Sequence, residues 1–243
     1  IICGGGLAGQ TLARQLQLEN EGLNVLLLEK DALPRPLESG KVGESTVEIA
    51  SYYFETMLEL QEYFRNEQLL KCGLRFFFKE GQEQIEDYPE IGLTKYPRFN
   101  SYQMDRIKFE NDLHYMNELA GTTVVSNVQV KDLELNTGDA PHQVTYVDAE
   151  GTMHEASARW LVDASGRRRL VQKKLKLRKE SNSNCSAVWF RVKGLLDVSD
   201  FVKTERKDWH QRVPQRLRHF ATVHFMGPSY WIWLIPLPTG KTS

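Results

Sequence analysis

One lysine of this sequence stands where a lysine side chain can do chemistry. Lys71 follows two leucines and comes shortly before a run of three phenylalanines that ends at Phe78. Burial disfavours the ammonium form and lowers the pKa, so a buried lysine offers a nucleophilic amine near neutral pH. A lysine at the end of a helix is otherwise an ordinary solvated charge, and Lys79 is expected to be one. The residue types leave both interpretations of Lys71 open.

A second group of residues has the spacing of a nucleotide-binding turn. Gly4, Gly6 and Gly9 form a GxGxxG pattern, and Glu29 lies 20 residues after the last of them. In a strand–turn–helix unit such glycines permit a tight turn, close approach of a pyrophosphate and close packing of the helix, while the carboxylate accepts from a ribose hydroxyl. The pattern predicts a dinucleotide site. Further residues expected beside it are Leu7, Ala8, Lys30 and Val128.

The segment Val42, Gly43, Glu44 and Ser45 is a further candidate for contact with the cofactor. Ser45 and Glu48 have the spacing of a capping box, which predicts a helix start here. Backbone N–H groups at a helix start attract anions, and this favours cofactor binding. A capped helix that binds nothing explains the same residues equally well.

Two stretches further along resemble parts of a known flavoprotein superfamily. Asp163 and Gly166, in "RWLVDASG", stand at the end of an apolar run. They resemble the second fingerprint of flavoproteins of the hydroxybenzoate-hydroxylase type. "YQMDRIKFENDL" resembles the helix start that carries a flavin-contacting arginine in that superfamily, and Arg106 is the matching residue. The resemblance implies FAD rather than NAD.

The segment "WIWLIP" is the most specific motif. Trp231, Trp233 and Ile235 alternate along an expected strand and therefore share one face, and Pro236 follows. A core strand with tryptophan as filler is the plain interpretation. Together with the glycine pattern, Gly-Glu-Ser-Thr and Lys71, however, the motif resembles the WxWxIP signature of flavin-dependent, tryptophan-halogenase-like enzymes among the FAD-dependent monooxygenases. The resemblance runs through essentially the whole chain.

The resemblance implies a role for several residues. Lys71 matches the family's essential lysine, which receives hypohalous acid made at the flavin. The two indoles, with Ile235 and Pro236, are implied to keep an organic substrate away from the flavin, and bulk alone would suffice for this. The implied cofactor is FAD, supplied as FADH2 by a separate flavin reductase, with halide as co-substrate. Glu48 departs from the family, many of whose members have proline there.

The predicted elements fit one α/β fold, with an FAD-binding Rossmann-like layer and an antiparallel substrate-side sheet. Residues 1–60, 101–135 and 140–180 are expected mainly in the first, and residues 66–100 and 184–243 mainly in the second. A long helix is predicted after Ser45, because apolar residues recur there at helical spacing: Val47, Ala50, Phe54, Met57 and Leu58. The missing initiator methionine and the abrupt apolar end predict a chain truncated at both ends.

The composition of the chain limits the classes of function that it can have. Thirty-one basic against 32 acidic residues leave a net charge of −1, which indicates a small-molecule partner rather than nucleic acid. The basic run 167–179 is expected to be solvated surface, with an anionic cofactor or membrane surface as alternatives. Three widely spaced cysteines follow no metal-ligand pattern and favour a reducing, cytoplasmic setting. No apolar stretch approaches the ~20 residues that span a bilayer.

Three functions stay open. A halogenase-like FAD enzyme acting on an electron-rich aromatic substrate is favoured. An FAD-dependent monooxygenase or dehydrogenase on the same fold, acting on a small organic substrate, is the alternative, because one fold hosts many chemistries. A non-catalytic flavin-binding or partner-binding protein is the third.

Overall fold

The structure is a computed structural model that describes all residues from Ile1 to Ser243. Its strands are β1 (Ile2–Cys3), β2 (Leu26–Leu28), β3 (Leu69–Leu70), β4 (Leu74–Phe78), β5 (Glu90–Gly92), β6 (Tyr102–Gln103), β7 (Thr123–Val125), β8 (Gln129–Glu134), β9 (His142–Val147), β10 (Met153–Ala158), β11 (Val162–Asp163), β12 (Val192–Lys193), β13 (Thr222–Gly227), β14 (Tyr230–Leu234) and β15 (Lys241–Thr242). The α-helices are α1 (Leu7–Glu19), α2 (Glu48–Tyr52), α3 (Gln61–Glu67), α4 (Arg106–Leu119), α5 (Leu170–Lys174) and α6 (Lys207–Arg212). Shorter turns are the 3-10 segments Leu37–Ser39, Ile85–Asp87, Gly166–Arg168 and Val198–Phe201, and a π-helical turn at Tyr53–Met57.

The chain divides into two compact units. The first comprises residues 1–39 and 107–186, and the second comprises residues 40–106 and 187–243. Residues 40–60, expected mainly with the cofactor-binding layer, therefore lie in the second unit. The assignment of the units to cofactor and substrate stays a prediction.

The first unit contains a parallel sheet in the order β11-β1-β2-β7. Strand β1, helix α1 and strand β2 form the βαβ unit that the glycine pattern predicted. Apolar side chains of β1 and β2 pack against α1 through Ile2, Leu27 and Ala13, all buried. A separate antiparallel sheet, β10-β9-β8, contains a hairpin between β9 and β10, in which the Gly151 N–H donates to the Asp148 carbonyl.

The second unit is built on a four-stranded sheet in the order β14-β13-β4-β5. Its outer pairs are antiparallel, but β4 and β13 run parallel, so the sheet is mixed rather than wholly antiparallel. Phe77, Val223 and Trp209 form the core on one face of this sheet. Two smaller ladders, β3-β6 and β12-β15, complete the unit.

The prediction of a helix capped by Ser45 and Glu48 was wrong. Helix α2 begins at Glu48 with Val47 as its N-cap, and no side chain caps it. Ser45 instead forms a β-bridge with Gln103, and the Thr46 N–H donates to the Tyr102 carbonyl at 2.9 Å. Because this pairing keeps residues 45 and 46 extended, the helix starts later than its side chains suggest. The predicted long helix is broken into α2, the π-helical turn and α3, and Val47 and Met57 are exposed.

Candidate functional site

The glycine loop of the first unit, Gly4 to Gly9, has a backbone conformation that leaves no room for a side chain at two of its positions. Gly4 has φ +119°, and a Cβ there would lie 2.3 Å from the Ala164 carbonyl oxygen. A Cβ at Gly9 would lie 1.9 Å from the Gly4 carbonyl oxygen. These two glycines are therefore required for the turn and for the packing of α1 on it.

Gly6 differs from the other two glycines. It is the N-cap of α1, with φ −80°, a conformation open to any residue, and Leu7 and Ala8 form the first helical turn after it. The backbone here does not itself demand glycine. A glycine at the N-terminus of a 13-residue helix leaves room for an anionic group against the backbone N–H groups, so the loop fits the pyrophosphate of FAD.

Glu29 is buried beside this loop and held by three donors. Its Oε2 accepts from the Gly5 N–H at 2.6 Å, and its Oε1 accepts from the Asp31 N–H at 2.9 Å. Arg35 lies 3.0 Å from Oε1 and also pairs with Glu110 at 3.4 Å. The carboxylate therefore has a fixed direction at the end of β2. Whether it accepts from a ribose hydroxyl stays a prediction.

Arg35 is a residue that the sequence interpretation missed. The Asn111 side chain fixes its backbone from both sides, accepting from the Arg35 N–H and donating to its carbonyl, each at 2.8 Å. Arg35 lies in an irregular segment, so no periodicity marks it. Its spacing of six residues from Glu29 is the only signal in the sequence.

Four further residues of this unit were predicted to lie beside the cofactor: Lys30, Val128, Asp163 and Gly166. Lys30 is exposed and pairs with Asp31, while Val128 is buried against Cys3 and Leu28. The Asp163 carboxylate accepts from Ser165 N–H at 3.0 Å and Val171 N–H at 2.8 Å, so it stabilises the turn after β11. Gly166 has φ +58°, and a Cβ there would meet open space.

In the second unit, Arg106 holds the backbone of the Val42–Ser45 segment. Its guanidinium donates to the Val42 carbonyl at 3.2 Å and to the Gly43 carbonyl at 3.3 Å. Gly43 has φ +98°, and a Cβ there would lie 2.6 Å from this guanidinium. The segment and Arg106 therefore form one assembly, with Val42 and Gly43 exposed.

Glu44 points into a buried ionic cluster instead. Arg191 lies 2.8 Å from the Glu44 carboxylate and 3.0 Å from that of Asp105, and both carboxylates are about 99% buried. The Trp189 indole N–H also donates to Glu44 at 3.2 Å. Glu44 thus anchors the segment. Sequence reasoning missed Asp105, Trp189 and Arg191, because tertiary contact alone brings them together.

Lys71 is buried, with 3% of its surface exposed. Its Nζ donates to the Thr46 carbonyl at 2.7 Å, and its backbone N–H donates to the Ser101 carbonyl at 2.7 Å. Burial lowers the pKa of the Lys71 amine below its ordinary value, and the Glu48 carboxylate opposes this shift. Lys79 is exposed. The structure thus favours the buried amine over the solvated helix end.

The β14 residues occupy the edge of the mixed sheet. Trp231 and Trp233 are 50% and 47% exposed and lie 6.3 Å apart, ring centre to ring centre. In the strand register, Trp233 lies opposite His224 on β13, and His224 lies opposite Phe76 on β4. These side chains form a continuous aromatic row on one face.

Ile235 and Pro236 follow the aromatic row but are buried. Ile235 exchanges both backbone hydrogen bonds with Ser243 at 2.9 Å, and Pro236 forms a bridge with Thr242. They therefore anchor the end of β14, and a gating role for them stays a prediction.

A cavity of about 420 Å³ lies along the same strand, and no sequence pattern predicted it. Its walls include Tyr230, Ile232 and Leu234, the strand's alternate residues, together with Phe225 and Tyr88. Cavities of this size and apolar character accept small molecules.

The structure contains no group of three or more His, Cys, Asp or Glu side chains arranged to hold a metal ion. None of its helices has the length and apolar character needed to cross a bilayer.

Comparison with known proteins gives the family. The family model of the FAD binding domain matches residues 1–241. The chain belongs to this family. The predicted cofactor, FAD, is confirmed by this match.

Curated relatives and a solved structure are flavin-dependent halogenases. The FAD-binding chain is 28% identical over 267 residues to the flavin-dependent halogenase chlA of Dictyostelium discoideum, with 99% of this chain and 43% of chlA covered. It is 26% identical over 253 residues to armH3 of Armillaria mellea, with 100% and 45% covered. The structure of the myxobacterial chondrochloren halogenase CndH has a TM-score of 0.67 at 28% identity, with 99% and 50% covered.

These matches confirm the predicted resemblance to flavin-dependent halogenases and the mixed α/β fold. The chain spans about half the length of the relatives that it matches.

Proposed function

We propose that the full-length protein is an FAD-dependent halogenase that uses FADH2, oxygen and halide to halogenate an electron-rich aromatic substrate. The observation that carries this proposal is the burial of Lys71. Among the predicted site residues, its amine is the one that is both buried and able to act as a nucleophile. The similarity to chlA, armH3 and CndH supports the same reaction class.

The proposed cofactor contacts are the residues that the resemblance implies. Gly4, Gly6, Gly9 and the start of α1 would hold the pyrophosphate of FAD, with Glu29 directed by Arg35 toward the ribose. The Val42–Ser45 segment and Arg106 are the proposed cofactor contacts of the second unit. Bound FADH2 and oxygen supply the oxidising equivalent that converts halide to hypohalous acid.

Lys71 has the central part in halogen transfer. Its neutral amine can accept a hydrogen bond from hypohalous acid, or attack the halogen to form a haloamine with release of water. Desolvation favours the neutral form, and the Thr46 carbonyl fixes the direction of Nζ. Trp231 and Trp233 would keep an organic substrate away from the flavin by their volume.

An external flavin reductase is the proposed partner, because the sequence offers no second nucleotide-binding fingerprint for NAD(P)H. A cytoplasmic setting is also proposed. Its support is that Cys3, Cys72 and Cys185 are all free thiols.

The test is to incubate the full-length protein with FADH2, chloride or bromide, and a panel of electron-rich aromatic compounds. Halogenated product should form with the wild-type protein, and Lys71→Ala should lower its yield by about 10² or more while still consuming FADH2 and oxygen. Lys71→Arg should also fail, because a guanidinium stays protonated. Lys79→Ala should behave as wild type.

A contrary result would favour an ordinary monooxygenase. Halide-independent hydroxylated product from the wild-type protein, or full halogenation by Lys71→Ala, would refute the proposal.

A further inference from the structure

Thr46 is a buried residue that the proposed function uses only through its backbone. It ends the Gly-Glu-Ser-Thr motif, and 4% of its surface is exposed. Its carbonyl accepts from Lys71 Nζ at 2.7 Å, but its side-chain hydroxyl has no part in that proposal. Thr46 and Lys71 both belong to the second unit.

Strand β6 has Lys71 on one edge and Thr46 on the other. On the first edge, Leu70 lies opposite Tyr102 in the β3-β6 ladder, and the Lys71 N–H donates to the Ser101 carbonyl at 2.7 Å. On the second edge, the Thr46 N–H donates to the Tyr102 carbonyl at 2.9 Å. The Lys71 side chain therefore bonds a carbonyl that belongs to the opposite edge of β6.

The backbone pairing of Thr46 with Tyr102 is completed by a side chain. Ser45 and Gln103 form an antiparallel bridge, and Thr46 and Tyr102 are the next pair along it. At this position of an antiparallel pair, two residues normally exchange both of their N–H···O=C bonds. Here the Thr46 N–H makes one of the two, but the Tyr102 N–H donates to the Thr46 hydroxyl oxygen at 2.7 Å. The hydroxyl thus stands in for the Thr46 carbonyl as acceptor.

The Thr46 hydroxyl is itself held in place. The hydroxyl oxygen of Ser51, a fully buried residue of α2, lies 2.8 Å from it. A buried N–H without an acceptor costs free energy, so the Tyr102 N–H needs a partner. Without the hydroxyl, the nearest candidate is the Thr46 carbonyl, which would turn into the ladder and change its direction relative to Lys71 Nζ.

We propose that Thr46 is a positioning residue for Lys71. Its hydroxyl satisfies the Tyr102 N–H, and this leaves its carbonyl to orient Lys71 Nζ. Halogen transfer needs the amine in a fixed direction, because reacting groups must be aligned. In this role Thr46 acts through Lys71 and takes no part in bond making. The inference rests on the proposed function.

The first test measures halogenated product formed per FADH2 consumed by the full-length protein. Thr46→Val keeps the shape of the side chain but removes the hydroxyl, so this ratio should fall by about 10-fold or more while FADH2 and oxygen consumption continues. Thr46→Ser keeps the hydroxyl and should retain the wild-type ratio. Thr122→Val removes another buried threonine hydroxyl, which accepts from Gln17 Nε2 at 3.2 Å, and it should also retain the ratio.

Two results of this test would overturn the inference. One is a wild-type ratio in Thr46→Val, and the other is an equal loss in Thr46→Ser. Thr46→Ala removes the same hydroxyl in a smaller side chain, and it takes the place of Thr46→Val if the valine variant does not fold.

The second test needs no turnover and is a crystal structure of full-length Thr46→Val. The Tyr102 N–H should donate to the carbonyl of residue 46, and Lys71 Nζ should have lost its hydrogen bond to that carbonyl. A Lys71 Nζ still bonded there as in the wild type would overturn the inference. Failure of the proposed function has a different signature, which is the expected shift of the carbonyl in Thr46→Val together with a wild-type protein that forms no halogenated product.

Discussion

At the scale of single residues, the burial of Lys71 has a consequence for stability. Its pKa in the folded protein is lower than the ordinary value of 10.5, so the unfolded chain binds more protons between these two values. The free energy of unfolding should therefore rise with pH through that window.

This prediction is tested by urea denaturation at about pH 7 and about pH 10. Wild-type protein should gain stability relative to Lys71→Met between the two conditions. Lys79→Met should follow the wild type, because Lys79 is exposed. A constant difference between wild type and Lys71→Met would show that the Lys71 pKa is not lowered.

Two glycines of the loop should respond differently to substitution. Gly6→Val should fold, because φ −80° suits valine, but it should lose FAD, because the side chain occupies the place of the pyrophosphate. Flavin absorbance and circular dichroism measure the two properties. Normal FAD content in a folded Gly6→Val protein would refute the assignment of the site.

Gly9→Ala is the companion substitution, and it should destabilise the fold instead. Its methyl group would meet the Gly4 carbonyl oxygen at 1.9 Å, and overpacking of this kind destabilises by about 1–3 kcal/mol or more. The melting temperature of the apoprotein measures this loss. An unchanged melting temperature would contradict the packing role given to Gly9.

At the scale of elements, the cluster of Glu44, Asp105 and Arg191 holds the Val42–Ser45 segment. Arg191→Ala would leave two buried carboxylates without their counter-charge, a change expected to destabilise the protein by about 3–5 kcal/mol. Lys108→Ala removes a more exposed pair with Asp112 and should change stability by less than about 1 kcal/mol. Equal effects in denaturant unfolding would contradict the anchoring role of Arg191.

At the scale of the whole molecule, the proposed use of FADH2 from an external reductase makes a prediction of its own. The purified full-length protein should leave its FAD oxidised when NADPH is added anaerobically, and adding a flavin reductase should restore reduction. Absorbance of oxidised flavin near its visible maximum follows both steps. Rapid reduction by NADPH alone would show that the protein has its own hydride-donor site.

The sequence by itself determined the features that depend on local chain geometry. The GxGxxG pattern predicted the βαβ unit, because glycine conformations and strand-helix periodicity are properties of neighbouring residues. The alternation in β14 placed Trp231 and Trp233 on one face for the same reason. The motif combination also predicted FAD, which the FAD binding domain match confirms, and a resemblance to flavin-dependent halogenases, which the similarity to chlA and CndH confirms.

Tertiary structure decided the features that depend on residues far apart in the chain. Ser45 met Gln103, so the expected cap was replaced by a β-bridge. Arg191 joined Glu44 to Asp105, and β13 came to lie parallel to β4. Lys71 could be a solvated helix end or a buried amine by sequence alone, because burial depends on what the rest of the chain places around a residue. The fold buries it.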